Sequence, residues 1–242
     1  MQSFSETLSS LFGMSSELWQ ILGVTMVMSF FSTSISALLG LPLGMLLGTK
    51  EFRGKNLIMR FVNTLMCLPP VVAGLLVFFL LSRSGPLGSL RLLYTVPAMV
   101  IAQVLLITPI ITGLTASAVQ INAAQIRETA IGMGMSSSRS LLYLLHENKG
   151  QLLSVVFTGF GRSIAEVGAV SIVGGNVQYK TRVMTTAIML ETNRGNFGLA
   201  VAIGVVLLLI SFIINAVAVS LLKGKKDKTE KRRSHGIYRR NI

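Results

Sequence analysis

Two ionisable residues stand inside an otherwise apolar run: Arg162 and Glu166, in Gly159-Phe160-Gly161-Arg162-Ser163-Ile164-Ala165-Glu166-Val167-Gly168. Four residues apart on a helix, they share a face and can pair. Charges at bilayer depth cost about 2.5–3.5 kcal/mol each on insertion scales, so they turn to a bundle interior or a wet cavity. Two roles fit: a pathway or gate position, and a structural ion pair between helices. The flanking Gly159, Gly161, Gly168, Gly174 and Gly175 leave room for close packing or for a passage.

Beyond them Gly174-Gly175-Asn176 breaks the helix, and Thr181-Arg182-Val183-Met184-Thr185-Thr186 opens a run too short to span a bilayer. A re-entrant or gating helix is expected there. Hydroxyls and an arginine near a helix start suit a passing anion, because free backbone donors point the same way. Capping by threonine fits the same residues equally well.

Enzymatic chemistry finds little support. Gly48-Thr49-Lys50-Glu51-Phe52-Arg53-Gly54-Lys55 has five residues between its glycines where a phosphate-binding loop has four, and Asn56 stands where a Mg²⁺-holding hydroxyl belongs. His146 and His235 lack the spacing of metal ligands, and no nucleophile–base constellation is visible. The lone cysteine, Cys67, beside Leu68-Pro69-Pro70, reads as a buried structural thiol. The chain is therefore expected to be no enzyme and to hold no metal or cofactor of its own.

The elements that position these residues are apolar. Of 242 residues, 51% are hydrophobic and only 13% charged, against about 25% charged in soluble domains. Five blocks are long enough to cross a bilayer: about 19–48, 57–81, 96–118, 151–174 and 198–222. The first, about 45 Å long as a helix, should tilt, bend near Pro42 or project into water. Pro69-Pro70 removes two backbone donors and should break the second. Gly40, Gly44 and Gly48 line one face of the first block as a helix-packing seam, within one subunit or between two.

Charge bias orients the spans. One side carries Lys50, Arg53, Lys55 and Arg60, then Arg127, Arg139 and Lys149, and then nine basic residues in the last 20 positions. The other side carries only Arg83, Arg91, Lys180, Arg182 and Arg194. The net charge of +13 is thus mostly a tail, which reads as disordered and lipid-anchoring, with no nucleic acid as partner. No positive n-region precedes the first span, so that span is expected to be its own uncleaved targeting signal. The residues predict an all-α polytopic membrane protein with five transmembrane helices, the N-terminus outside and the C-terminus cytoplasmic. Residues 1–18 form an extracytoplasmic segment, 19–222 the transmembrane domain and 223–242 a basic cytoplasmic tail.

Within that domain, residues 119–150 form a polar, helix-prone island on the cytoplasmic side, centred on Gln125-Ile126-Arg127-Glu128-Thr129-Ala130-Ile131-Gly132-Met133-Gly134. This centre resembles the coupling segment of permease subunits of bacterial and archaeal ABC importers. In that family a Glu-Ala-Ala segment, with a Gly four residues after its last Ala, docks in a cleft of an ATPase. Glu128, Thr129, Ala130 and Gly134 hold those places; Thr129 departs from the middle Ala, and His146-Glu147 stands where the family pattern continues to Leu-Pro.

Phe160 to Val170, followed by Ile172-Val173-Gly174-Gly175-Asn176, is similar to the oxyanion branch of that family. Thr181 to Ile188 with Glu191-Thr192 is most similar to tungstate permeases, with molybdate and sulfate as alternative cargoes on the same architecture. The resemblance implies a type I ABC importer permease fold in the cytoplasmic (inner) membrane of a prokaryote. It also implies a homodimer, a separate ABC ATPase dimer that binds ATP and Mg, and an extracytoplasmic oxyanion-binding protein. Arg162, Glu166, Asn176, Arg182, Thr185 and Thr186 are the candidates for the pathway and outer gate. An intramembrane enzyme using Arg162 and Glu166 would turn over alone, and a passive channel would conduct without ATP.

Overall fold

The structure is a computed structural model that describes residues 15–238. The side chains of Ser15, Ala124, Arg127, Ala130, Ile131, Ser137, Ser138, Leu141 and residues 221–238 are outside the description. The extracytoplasmic segment expected at 1–18 thus lies almost wholly outside it. The described residues form helices and turns, with no strand among them.

Helix α1 (Ser15–Thr49) is 35 residues long and continues through Pro42 without interruption. At 1.5 Å per residue it spans about 52 Å, more than a hydrocarbon core of about 30 Å. Its outward face carries Phe30, Phe31, Leu38 and Leu43, all exposed. The opposite stripe is small and polar, from Thr25, Ser29, Ser32 and Ser36 on to the glycines. That stripe lies on α4 (Val96–Gly132). A Cβ added at Gly44 would come within 2.5 Å of the Thr112 carbonyl oxygen, and one at Gly48 within 2.8 Å of the Ala116 oxygen. The glycine seam is therefore internal to one subunit, and two backbones meet because no side chain separates them.

The second apolar block is two helices, α2 (Lys55–Met66) and α3 (Pro70–Leu81), bent 98° from each other. Pro69 and Pro70 end α2 and start α3, where the missing N–H groups are harmless. Twelve residues give α3 a length of about 18 Å, so the pair crosses a bilayer only as a broken unit. Cys67 caps the end of α2 and is exposed, correcting the buried thiol expected from its apolar neighbours. At so sharp a bend those neighbours divide between the core and the outer surface. Lys55, the lysine of the rejected phosphate-loop pattern, is buried and pairs with Glu51 at 2.6 Å.

Helix α5 (Ser137–Ile164) leads, through a 56° bend, to the short α6 (Gly168–Gly174). Helices α7 (Met184–Asn193) and α8 (Phe197–Tyr238) complete the chain. Among the described residues three segments are long and apolar enough to cross a membrane: Ser16–Thr49, Val96–Ala123 and Phe197–Ser220. The count rises to five if each bent pair is one span. The backbone of α8 stays helical through Tyr238, where a disordered tail is expected from residue 223. Its Lys, Arg and Glu residues are good helix formers, and the apolar span supplies the nucleus they extend.

Candidate functional site

The polar island is a helical hairpin, built from the last turns of α4 and the first turns of α5. Apolar packing continues into it through Met45, Val119, Ile126 and Leu144, so the hairpin is continuous with the spans. Asn122 donates to the Asn148 side-chain oxygen at 3.0 Å, and the buried Asn148 donates to the Leu144 carbonyl at 2.9 Å. At the tip, Glu128 and Thr129 are exposed, and Thr129 donates its hydroxyl to the Gln125 carbonyl at 2.8 Å. The side chain of Ala130 lies outside the described ones. Gly134 sits in the connecting turn with φ +64°, a conformation that costs L-residues about 1–2 kcal/mol. The tip thus presents the exposed Glu128 and Thr129 at a helix end whose stalk is packed onto the spans.

The opposite end of α5, about 40 Å away along its axis, carries the other candidates. Arg162 and Glu166 form no ion pair among the described residues. The spacing argument needs a helix through both, but α5 stops at Ile164 and the chain turns at Ala165. Glu166 is instead buried, and its carboxylate accepts the Ala169 N–H at 3.1 Å in the first turn of α6. Its backbone carbonyl accepts the Thr185 hydroxyl at 2.8 Å, which ties α7 to the α5–α6 turn. Arg162 remains exposed on α5.

Thr186 is fully buried and accepts the Val183 N–H at 3.1 Å. Its hydroxyl therefore serves the start of α7, the capping role that its position also allowed. Arg182 pairs with Glu17 of α1 at 2.6 Å and donates through Nε to Asn176 at 3.3 Å. Gln178 also donates to Glu17, at 3.1 Å. Asn176 holds φ +50°, a left-handed conformation that Asn tolerates better than most residues. The outer candidates Asn176 and Arg182 thus come together, Glu166 and Thr185 form a second contact, and Arg162 stands apart.

Sequence reasoning missed Glu17, the counter-charge to Arg182, and a buried polar hub between α1, α4 and α5. Ser32 donates to the side-chain oxygen of Gln103 at 2.6 Å, and Ser163 reaches the same oxygen at 2.7 Å. The Gln103 amide donates to the Ser163 carbonyl at 2.9 Å. All three residues are fully buried. The available signal was Gln103 itself, a lone amide near the middle of an apolar span.

Long apolar helices with small polar seams, two bent helix pairs and a polar hairpin define a helical polytopic membrane protein. Residues 40–226 match the family described as binding-protein-dependent transport system inner membrane component. The chain belongs to that family. The tungstate uptake system permease protein TupB of Peptoclostridium acidaminophilum is 40% identical over 220 residues, covering 91% of this chain and 96% of the relative. A probable anion ABC transporter permease protein of Haloferax volcanii is 35% identical, covering 89% and 94%. An inward-facing structure of the MetNI methionine ABC transporter matches with TM-score 0.66 at 16% identity, over 89% of this chain and 97% of that one. That last likeness concerns the fold alone. The chain is an inner-membrane ABC transporter permease, and ATP hydrolysis belongs to a separate ATPase.

Proposed function

We propose that this chain is the permease of an ATP-driven importer for a tetrahedral oxyanion, tungstate above molybdate or sulfate. Two copies form the membrane unit, an ATPase dimer binding ATP and Mg docks on the hairpin, and an extracytoplasmic protein delivers the anion. The basic-residue bias supports a cytoplasmic hairpin and C-terminus, with residues 1–18 and the Glu17–Arg182 cluster outside. Closure of the ATPase pair pushes on Glu128 to Gly134, and the stalk carries that motion to the helices. The bundles then alternate between inward-open and outward-open arrangements.

The observation that carries the anion reading is Arg162. It is exposed at membrane depth on a face of α5 that also shows Ser154 and Thr158. With no ion pair among the described residues, its guanidinium is costly against lipid and favourable beside a water-filled path for a dianion. The sequence likeness to a tungstate permease supports the same cargo. Asn176, Arg182, Thr185, Thr186 and Glu166 then shape the outer gate by holding the α6–α7 loop in place.

Competition is the test of cargo. In membranes holding the complete complex, unlabelled tungstate should displace labelled tungstate uptake at lower concentration than molybdate, and molybdate at lower concentration than sulfate. Equal displacement by an unrelated anion such as chloride would sink the oxyanion reading.

A further inference from the structure

We propose that the groove between α5 and α8 is a transient subsite for the dianionic tetrahedral oxyanion, next to Arg162 on the path inward. This inference rests on the importer reading above and adds a site to it. The groove has a volume of about 360 Å³, lined by Ser154, Thr158 and Gly161 on one wall and by Ser211, Asn215 and Val219 on the other. That is room for an anion with several waters, at about 30 Å³ each.

The chemistry of the lining selects the ligand. Thr158 spends its proton on the Ser154 carbonyl at 2.9 Å. The Ser154 and Ser211 hydroxyls and the Asn215 amide make no protein hydrogen bond among the described residues. Those groups can donate to an oxyanion, and no carboxylate lines the groove to repel one. Arg162 follows Thr158 by one helical turn and sets the sign of the field at one end. Apolar walls such as Ile214 lower the local dielectric and concentrate that field. A site of neutral donors holds an anion weakly enough to release it, as a passage requires.

The position argues against a lipid-filled groove. Ser211 and Asn215 lie within the apolar segment Phe197–Ser220, where an exposed amide in hydrocarbon is unfavourable. Phe212 and Ile213, on the neighbouring face, are also exposed and are the lipid-compatible ones.

Thiol labelling tests the site in the reconstituted complex of this chain with its ATPase and binding protein, in a Cys67→Ser background. Asn215→Cys, Ser211→Cys and Phe212→Cys are each treated with a sulfonate-bearing and a trimethylammonium-bearing thiosulfonate reagent. N215C should react about tenfold faster with the anionic reagent than with the cationic one. Added tungstate should slow that reaction, while F212C stays unreactive toward both. S211C, one turn away, should repeat the pattern and gives the reading if N215C does not assemble. Equal rates for the two reagents, or rates that tungstate leaves unchanged, overturn the subsite when the Cys67→Ser complex still takes up tungstate with ATP. That result leaves the importer reading standing. A complex that takes up no tetrahedral oxyanion with ATP overturns both.

Discussion

Arg182 and Glu17, 165 residues apart in sequence, meet at 2.6 Å and join the first turn of α1 to the α6–α7 loop. Both side chains are mostly buried, with 12% and 15% exposure, so the pair is little screened by solvent. Arg182 therefore anchors the α6–α7 loop, and its charge is largely committed to Glu17. Removing either partner should cost about 1–3 kcal/mol. A double-mutant cycle with Glu17→Gln and Arg182→Gln, read by thermal unfolding in detergent, should return coupling of about 1–3 kcal/mol. Additive effects would mean that the two residues act independently.

The Ser32–Gln103–Ser163 hub predicts losses that do not add. Gln103→Leu removes three hydrogen bonds at a cost of about 1–3 kcal/mol, and leaves the Ser32 and Ser163 hydroxyls with each other at 2.9 Å and Ser32 with the Ser29 carbonyl at 3.2 Å. Ser32→Ala and Ser163→Ala then remove hydroxyls that have already lost their shared acceptor. The two serine changes together should lower the unfolding temperature less in the Gln103→Leu background than in the unaltered chain. Equal losses in the two backgrounds would contradict the hub.

The glycines of α1 should differ sharply among themselves. Gly44→Val forces α1 away from Thr112 and Thr115, so it should abolish the folded protein in detergent. Gly23 has nothing within 4 Å of an added Cβ, and Gly23→Ala should be neutral or stabilising by up to about 1 kcal/mol. Size-exclusion profiles and unfolding midpoints of the two variants decide the matter. Similar damage at both positions would rule out the internal seam.

At the hairpin tip, Glu128→Ala and Gly134→Val should reduce anion uptake while leaving the spans folded. Gly134→Val adds strain of about 1–2 kcal/mol because the residue holds φ +64°. The readout is the ratio of transported anion to hydrolysed ATP, which should fall in both variants. An unchanged ratio would remove the coupling role from this tip.

Much of this architecture was legible in the sequence, because hydrophobicity and proline act locally. The apolar blocks at 19–48 and 96–118 fall within helices Ser16–Thr49 and Val96–Ala123, and Pro69-Pro70 marks the 98° bend. The Gly40–Gly44–Gly48 spacing announced a close helix contact, though only the position of Thr112 and Ala116 shows that the contact is internal.

What escaped depends on where helices stop and on long-range pairing. Arg162 and Glu166 share a face only if α5 continues, and it ends between them. Glu17 lies so far from Arg182 in sequence that no local pattern could join them. Cys67 has apolar neighbours on both sides, yet the turn it sits in faces outward. Ser32 and Ser163 lie 71 and 60 residues from Gln103, too far for any local pattern to mark them as its partners.

The proposed permease carries a tetrahedral oxyanion across the membrane under ATP control, with Arg162 on the path. The direct measurement is uptake of labelled tungstate into proteoliposomes holding the chain, its ATPase and its binding protein. Accumulation should require both ATP and the binding protein, and Arg162→Ala should reduce it by about tenfold or more, the equivalent of about 1.4 kcal/mol at the barrier. Tungstate entry that continues without ATP, or that is untouched by Arg162→Ala, would contradict the account.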